Sequence, residues 1–265
     1  MAKLCDNVVL CRGLPEQPPT EDNYLHTLKS AGYNCDYLYT SRFEFINSSD
    51  LKTCLQMPDD YYGLILTSQR AVEAIWQVFK DDEKYLSSWQ RLPAYCVGPA
   101  TASLAENYLG LERCLGSQSG NANDLAEIII SDIEKISKPL LYPCSEIARE
   151  TIDQVLTKNR INLKKLVAYR TIPRESLEAD FLNVVGSVPK IFVFFSPSAV
   201  RYLVSVLKKH PNNIKNIKAV AIGPVTKQSL IEADLTVYAT ATKPNPESLL
   251  EAINNAGCDD NSETM

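Results

Sequence analysis

The sequence predicts an α/β protein of two similar domains, each a parallel sheet flanked by helices, joined by a two-strand hinge. Three observations carry that reading. Short apolar runs alternate with amphipathic stretches along most of the 265 residues. The connections between runs are long enough for a helix each, as parallel crossovers require. A set of three segments also occurs twice in the same order.

Gly63-Leu64-Ile65-Leu66-Thr67 reads as a buried strand, and Ala71, Val72, Ile75, Trp76 and Phe79 follow it at helical spacing. Ala94 to Gly98 reads as the next strand, with a helix from about Ala100 to Leu109 closed by Gly110 as a C-cap. Leu140 to Pro143 precedes a helix expected to hold Ile147, Ile152, Val155 and Leu156. Ile191 to Phe195 is the most hydrophobic strand; Val200, Leu203, Val204 and Leu207 continue it as a helix. Ala219 to Gly223 leads to a helix carrying Leu230 and Ile231. At the N-terminus, an apolar run from Asn7 to Cys11 precedes a helix expected from near Thr20 to Gly32. The tail from Cys258 to Met265 is small and polar and is expected to fray.

The echo is the most informative feature. Leu66-Thr67-Ser68-Gln69-Arg70-Ala71-Val72 is followed about thirty residues later by Val97-Gly98-Pro99-Ala100-Thr101. Phe195-Ser196-Pro197-Ser198-Ala199-Val200 is followed at a similar interval by Ile222-Gly223-Pro224-Val225-Thr226. Each copy ends in a helix opened by Asn, at Asn121 and at Asn245. The second copy lacks a leading βα unit, which the N-terminal segment supplies. That predicts a discontinuous domain of residues 1–39 plus 170–265 with residues 40–169 inserted, the crossings being Tyr33–Tyr39 and Lys165–Arg170.

Composition narrows the function. Hydrophobic residues make up 45% and charged residues 22%, an ordinary globular balance. The net charge of −5 argues against nucleic acid as a partner, although 27 Lys and Arg leave room for a local basic pocket. The eight cysteines form no C-x-x-C pair and only His26 and His210 are available to join them, so no metal site is expected. Cysteines inside apolar runs, such as Cys96, read as small buried hydrophobes. The sequence opens on neither a signal peptide nor an Arg-rich transit pattern, and no apolar stretch is long enough to span a bilayer. The expectation is a reduced, cytoplasmic protein with no membrane partner, and nothing demands more than a monomer.

The repeated elements put hydroxyls and helix N-termini at the carboxyl ends of parallel strands, where open α/β sheets bind ligands. Thr67 and Ser68 precede one helix, Ser196 and Ser198 its counterpart; Thr101 and Thr226 follow the two Gly-Pro steps. Unpaired N–H groups there suit carboxylates or phosphates, while Ser and Thr also serve as plain helix caps. Arg12, Arg42, Arg70 and Arg149 are candidate carboxylate partners through bidentate forks. There is no phosphate loop, dinucleotide fingerprint, nucleophile elbow or zincin motif. Such a chain shapes a reactive substrate, or it is a non-catalytic binder closing on a small anionic ligand.

Several segments resemble the uroporphyrinogen-III synthases of eukaryotes. They are Gly63-Leu64-Ile65-Leu66-Thr67-Ser68 with Arg70-Ala71-Val72-Glu73-Ala74, Val97-Gly98 with Ala100-Thr101-Ala102-Ser103-Leu104, and Gly120-Asn121-Ala122. Further on come Pro143-Cys144 with Arg149-Glu150, Val167 with Tyr169 and Thr171, Phe194-Phe195-Ser196-Pro197-Ser198, and Ala221-Ile222-Gly223-Pro224 with Thr226. The resemblance spans about residues 33–253; Gln69 stands where Pro is expected and Val225 where Thr is expected. It implies a lyase that needs no cofactor. Its substrate would be hydroxymethylbilane, a linear tetrapyrrole with eight carboxylates, held between the two domains. The enzyme would expel the terminal hydroxyl as water and steer attack to the substituted carbon of the last ring. The resulting spiro intermediate would reclose with ring D inverted. Positioning rather than strong acid or base carries such a reaction. The resemblance makes Tyr169 the candidate catalytic group and Thr67, Ser68, Arg70, Thr101, Ser145, Arg149, Ser196, Ser198 and Thr226 candidate substrate-binding residues.

Overall fold

A computed structural model of the protein describes residues 7–15, 22–80, 86–132, 138–148 and 150–259. In chain order its strands are β1 (Asn7–Gly13), β2 (Asn34–Phe45), β3 (Gly63–Leu66), β4 (Ala94–Cys96), β5 (Cys114–Leu115), β6 (Leu140–Ser145), β7 (Leu163–Pro173), β8 (Lys190–Phe194), β9 (Ile217–Ala221) and β10 (Val237–Thr240). The helices are α1 (Asn23–Ser30), α2 (Ser48–Leu55), α3 (Gln69–Phe79), α4 (Gly98–Leu109), α5 (Ala122–Asp132), α6 (Thr151–Lys158), α7 (Leu177–Val185), α8 (Pro197–Leu207), α9 (Pro224–Glu232) and α10 (Pro246–Asp259). The chain divides into two compact units, Met1–Phe43 with Thr171–Met265, and Glu44–Arg170. They are called here the outer and the inserted unit.

In the outer unit the strands lie in the order β2-β1-β8-β9-β10, all parallel. The central strands β1 and β8 are buried on both faces, so they read as unbroken apolar runs and not as alternating ones. Val8 and Leu10 of β1 join Ile191 and Val193 of β8 beneath α1 and α10. Val9 and Cys11 join Phe192 and Phe194 on the opposite side, against Phe181 of α7 and Leu203 of α8. Phe192 is fully buried; its replacement by Ala should cost roughly 3–5 kcal/mol.

In the inserted unit the order is β7-β6-β3-β4-β5, again parallel. The leading βαβ element of the outer unit, β1-α1-β2, has its counterpart in β6-α6-β7, which here follows the other strands in sequence. Both units therefore share one spatial order, with a switch point between β1 and β8 in one and between β6 and β3 in the other. The predicted α/β class, parallel strands flanked by helices, is the architecture observed.

Local chemistry explains the boundaries. Gly110 closes α4 in the left-handed region at φ 64°, as the sequence predicts. Asn121 accepts from the Asn123 and Asp124 amides at 2.9 and 3.1 Å and so opens α5; Asn245 does the same for α10 through Ser248 at 2.8 Å. Three expectations need correction. The first helix begins at Asn23, because Asp22 caps it by accepting from the Tyr24 and Leu25 amides; Thr20 lies outside the described residues. Ile147 is not helical but sits in a turn after β6, 71% exposed. Cys258 belongs to α10, which ends at Asp259; residues 260–265 lie outside the described residues.

Candidate active site

At the carboxyl end of the inserted unit's sheet, β7 carries a bulge. Cys144 of β6 pairs with Val167 but Ser145 pairs with Tyr169, leaving Ala168 as an extra residue. A bulge re-aims the side chain that follows it, and Ala168 and Tyr169 are consequently both buried although adjacent. The backbone at the bulge is pinned on both sides: Ile46 N–H donates to Ala168 O at 2.9 Å, and Glu146 N–H donates to Tyr169 O at 3.0 Å.

The Tyr169 phenol lies 2.6 Å from the Ser68 hydroxyl. Ser68 is the N-cap residue of α3, yet its side chain makes no capping hydrogen bond. Burial pushes the phenol's pKa above the ordinary tyrosine value, and the Cys144 and Glu73 charges push the same way; the Ser68 hydrogen bond and the Arg70 guanidinium oppose it. The net direction is upward, so the phenol keeps its proton at neutral pH. Arg70, in the first turn of α3, pairs with Glu73 at 2.5 Å on its own helix. Burial pushes the pKa of the Tyr142 phenol of β6 up, and the Thr67 hydroxyl, beside Ser68, opposes that shift. Ser145 is half-buried and accepts from Ile147 N–H at 3.4 Å across the turn. Thr101, in the first turn of α4, is 5% exposed behind Gly98, whose φ of 76° lets the backbone turn sharply from strand to helix.

The outer unit's strand ends carry the remaining candidates. Ser196 caps α8 by accepting from Ala199 N–H at 3.2 Å and lies 2.9 Å from the Ser198 hydroxyl. Thr226, in the first turn of α9, is 4% exposed. Arg12, at the end of β1, pairs with Asp22 and packs its guanidinium over Phe195 at 4.3 Å and Tyr24 at 5.4 Å. Arg42 pairs with the exposed Glu175 at 3.3 Å, a surface contact of small energetic weight. Arg149 lies outside the described residues.

The structure thus gathers Thr67, Ser68, Arg70, Ser145 and Tyr169 around the ends of β3, β6 and β7. Sequence reasoning missed Tyr142, Asp22 and Glu73. Glu73 was legible three residues from Arg70 on a helix face, and Asp22 as an Asp ahead of a helix. Tyr142 carried no signal, since Thr67, whose hydroxyl acts on it, follows β3 far away in sequence. Among the described residues no group of three His, Cys, Asp or Glu is placed to hold a metal ion, and no helix is long and apolar enough to cross a membrane.

The family model described as uroporphyrinogen-III synthase HemD matches residues 22–251. The chain belongs to the uroporphyrinogen-III synthase family. The uroporphyrinogen-III synthase of Schizosaccharomyces pombe is 27% identical over 239 residues, covering 88% of this chain and 91% of its own. That of Saccharomyces cerevisiae is 31% identical over 211 residues, covering 72% and 74%. Among solved structures, uroporphyrinogen-III synthetase from Helicobacter pylori 26695 aligns with a TM-score of 0.65 at 20% identity, over 94% of this chain and 98% of that one. A mutant uroporphyrinogen III synthase from the extremely thermophilic bacterium Thermus thermophilus aligns at 0.52 and 15% identity, over 94% of this chain and 98% of that one. At such identities the likeness speaks for the fold alone. The family model and the yeast synthases are what carry the family assignment.

Proposed function

We propose that this chain converts hydroxymethylbilane to uroporphyrinogen III, in heme biosynthesis, as a cyclising carbon–oxygen lyase. The observation that carries the proposal is the buried, protonated Tyr169 phenol presented by a bulge at a strand's carboxyl end, in a chain of this family. The phenol donates its proton to the terminal hydroxyl as the C–O bond breaks, and water leaves. The electron-rich pyrrole supplies the electron pair, generating the azafulvene electrophile. The substituted carbon of the last ring then attacks, the spiro centre fragments, and the ring recloses inverted. When that ring regains aromaticity it releases one proton, which returns to the phenolate, so one water is lost overall. The reaction involves no net redox change and calls on no cofactor.

Holding the chain of carboxylates falls to the strand-end groups. Thr101, Ser196, Ser198 and Thr226, with the amides of the first turns of α4, α8 and α9, supply donors and the positive ends of helix dipoles. Arg70, Ser145 and Arg149 extend the set. Keeping reacting atoms in near-attack geometry is where most of the acceleration originates. The protein is further proposed to act in the cytoplasm as a monomer, on a small molecule and without nucleic acid or membrane partners.

The test is to supply freshly made hydroxymethylbilane, oxidise the products and separate the porphyrin isomers. Type III in excess over a protein-free control is the expected result. Type I alone, at the control rate, would leave the alternative of a binding protein that grips an anion without turnover.

A further inference from the structure

The Ser68 hydroxyl has a role that its place in the sequence does not suggest. A serine before a helix normally accepts a hydrogen bond from the first-turn amides, and one at a strand end in this family would be expected to grip a carboxylate. Ser68 makes no cap bond, and its hydroxyl lies 2.6 Å from the Tyr169 phenol. Two hydroxyls at that distance share one proton between them, and the second proton points elsewhere.

We propose that Ser68 is the positioning residue for Tyr169: it donates to the phenol oxygen, so that the phenol's own proton is turned toward the substrate's leaving hydroxyl. This inference rests on Tyr169 as the proton donor. The same hydrogen bond strengthens when the phenol has given up its proton, because the acceptor is then an anion. Ser68 therefore both orients the acid and stabilises its conjugate base until the rearomatising ring returns a proton. The bulge at Ala168 in β7 and the extended backbone of Ser68 at the start of α3, φ −159° and ψ 157°, set the two oxygens at this distance.

The experiment is a double-mutant cycle on the full chain with hydroxymethylbilane as substrate: Ser68→Ala, Ser68→Thr, Tyr169→Phe, and Ser68→Ala with Tyr169→Phe. Ser68→Ala should lower kcat roughly five- to tenfold, the worth of one hydrogen bond, with KM within about twofold of wild type and the melting temperature unchanged. Ser68→Thr, which keeps the hydroxyl, should recover most of the rate. In the Tyr169→Phe background the Ser68 substitution should add nothing, because no phenol remains to orient. A raised KM at unchanged kcat would assign Ser68 to carboxylate binding and overturn the inference, as would effects that multiply. If Tyr169→Phe slows turnover while Ser68→Ala does not, only the inference falls. A wild-type rate for Tyr169→Phe would remove the proton donor and this inference with it.

Discussion

Ser68 and Ser196 occupy the same position in the two units and have nearly the same backbone, φ −159° and ψ 157° in one, φ −160° and ψ 157° in the other. Each follows a buried strand and opens a helix. Yet Ser196 spends its hydroxyl on the cap and on Ser198, while Ser68 gives its hydroxyl to a phenol. The units differ two strands over, on β7 and β2. The outer unit carries the same bulge: Arg12 pairs with Tyr39 and Gly13 with Ser41, leaving Thr40 extra. Leu14 N–H donates to Ser41 O at 2.7 Å just as Glu146 N–H donates to Tyr169 O. Ser41 therefore stands in the outer unit where Tyr169 stands in the inserted one. One architecture is used twice, and the residue after the bulge differs: Tyr169 reaches Ser68 in the inserted unit, and Ser41 stands in its place in the outer one.

The largest effect expected from this contrast is on Tyr169. Tyr169→Phe should lower kcat roughly 100-fold, the low end for general-acid catalysis, with circular dichroism and melting temperature close to wild type. An unchanged rate would reduce Tyr169 to packing. Next comes the outer unit's helix start: Thr226→Ala should raise KM roughly three- to tenfold, one hydrogen bond's worth, whereas Thr236→Ala, at an exposed position just before β10, should leave it alone. Equal effects would count against the helix termini as the carboxylate grip. Ser196→Ala should lower stability by about 1 kcal/mol through loss of the cap, read by urea unfolding; Ser68→Ala, which breaks no cap bond, should cost less. A pH profile sharpens the same point. Burial raises the Tyr169 pKa above the ordinary tyrosine value, so the acid form persists to higher pH than for a free tyrosine, and kcat should not fall on the alkaline side before the range in which a free tyrosine titrates. A decline centred well below that would mean another group limits the rate.

The fold was largely legible in the sequence because its central strands are buried on both faces. Unbroken runs such as Ile191 to Phe194 and Leu64 to Leu66 have no other reading when turn signals and helical spacing follow them. The echo exposed the duplicated architecture, since Gly98-Pro99 and Gly223-Pro224 keep their offsets to Thr101 and Thr226. The pairing of Ser68 with Tyr169 was out of reach. A bulge adds a residue to one strand without a compositional mark, and nothing in Leu166-Val167-Ala168-Tyr169 says which residue is extra. Ile147 misled for a related reason: an apolar residue near a helix start reads as its buried face, whereas here it is exposed in the preceding turn.

The most direct test of the division between the two strand ends is to measure hydroxymethylbilane turnover by Ser68→Ala and Ser196→Ala side by side, at a temperature where both are fully folded. The account predicts that Ser68→Ala turns over several-fold more slowly than Ser196→Ala. Equal rates, or the reverse order, would contradict it.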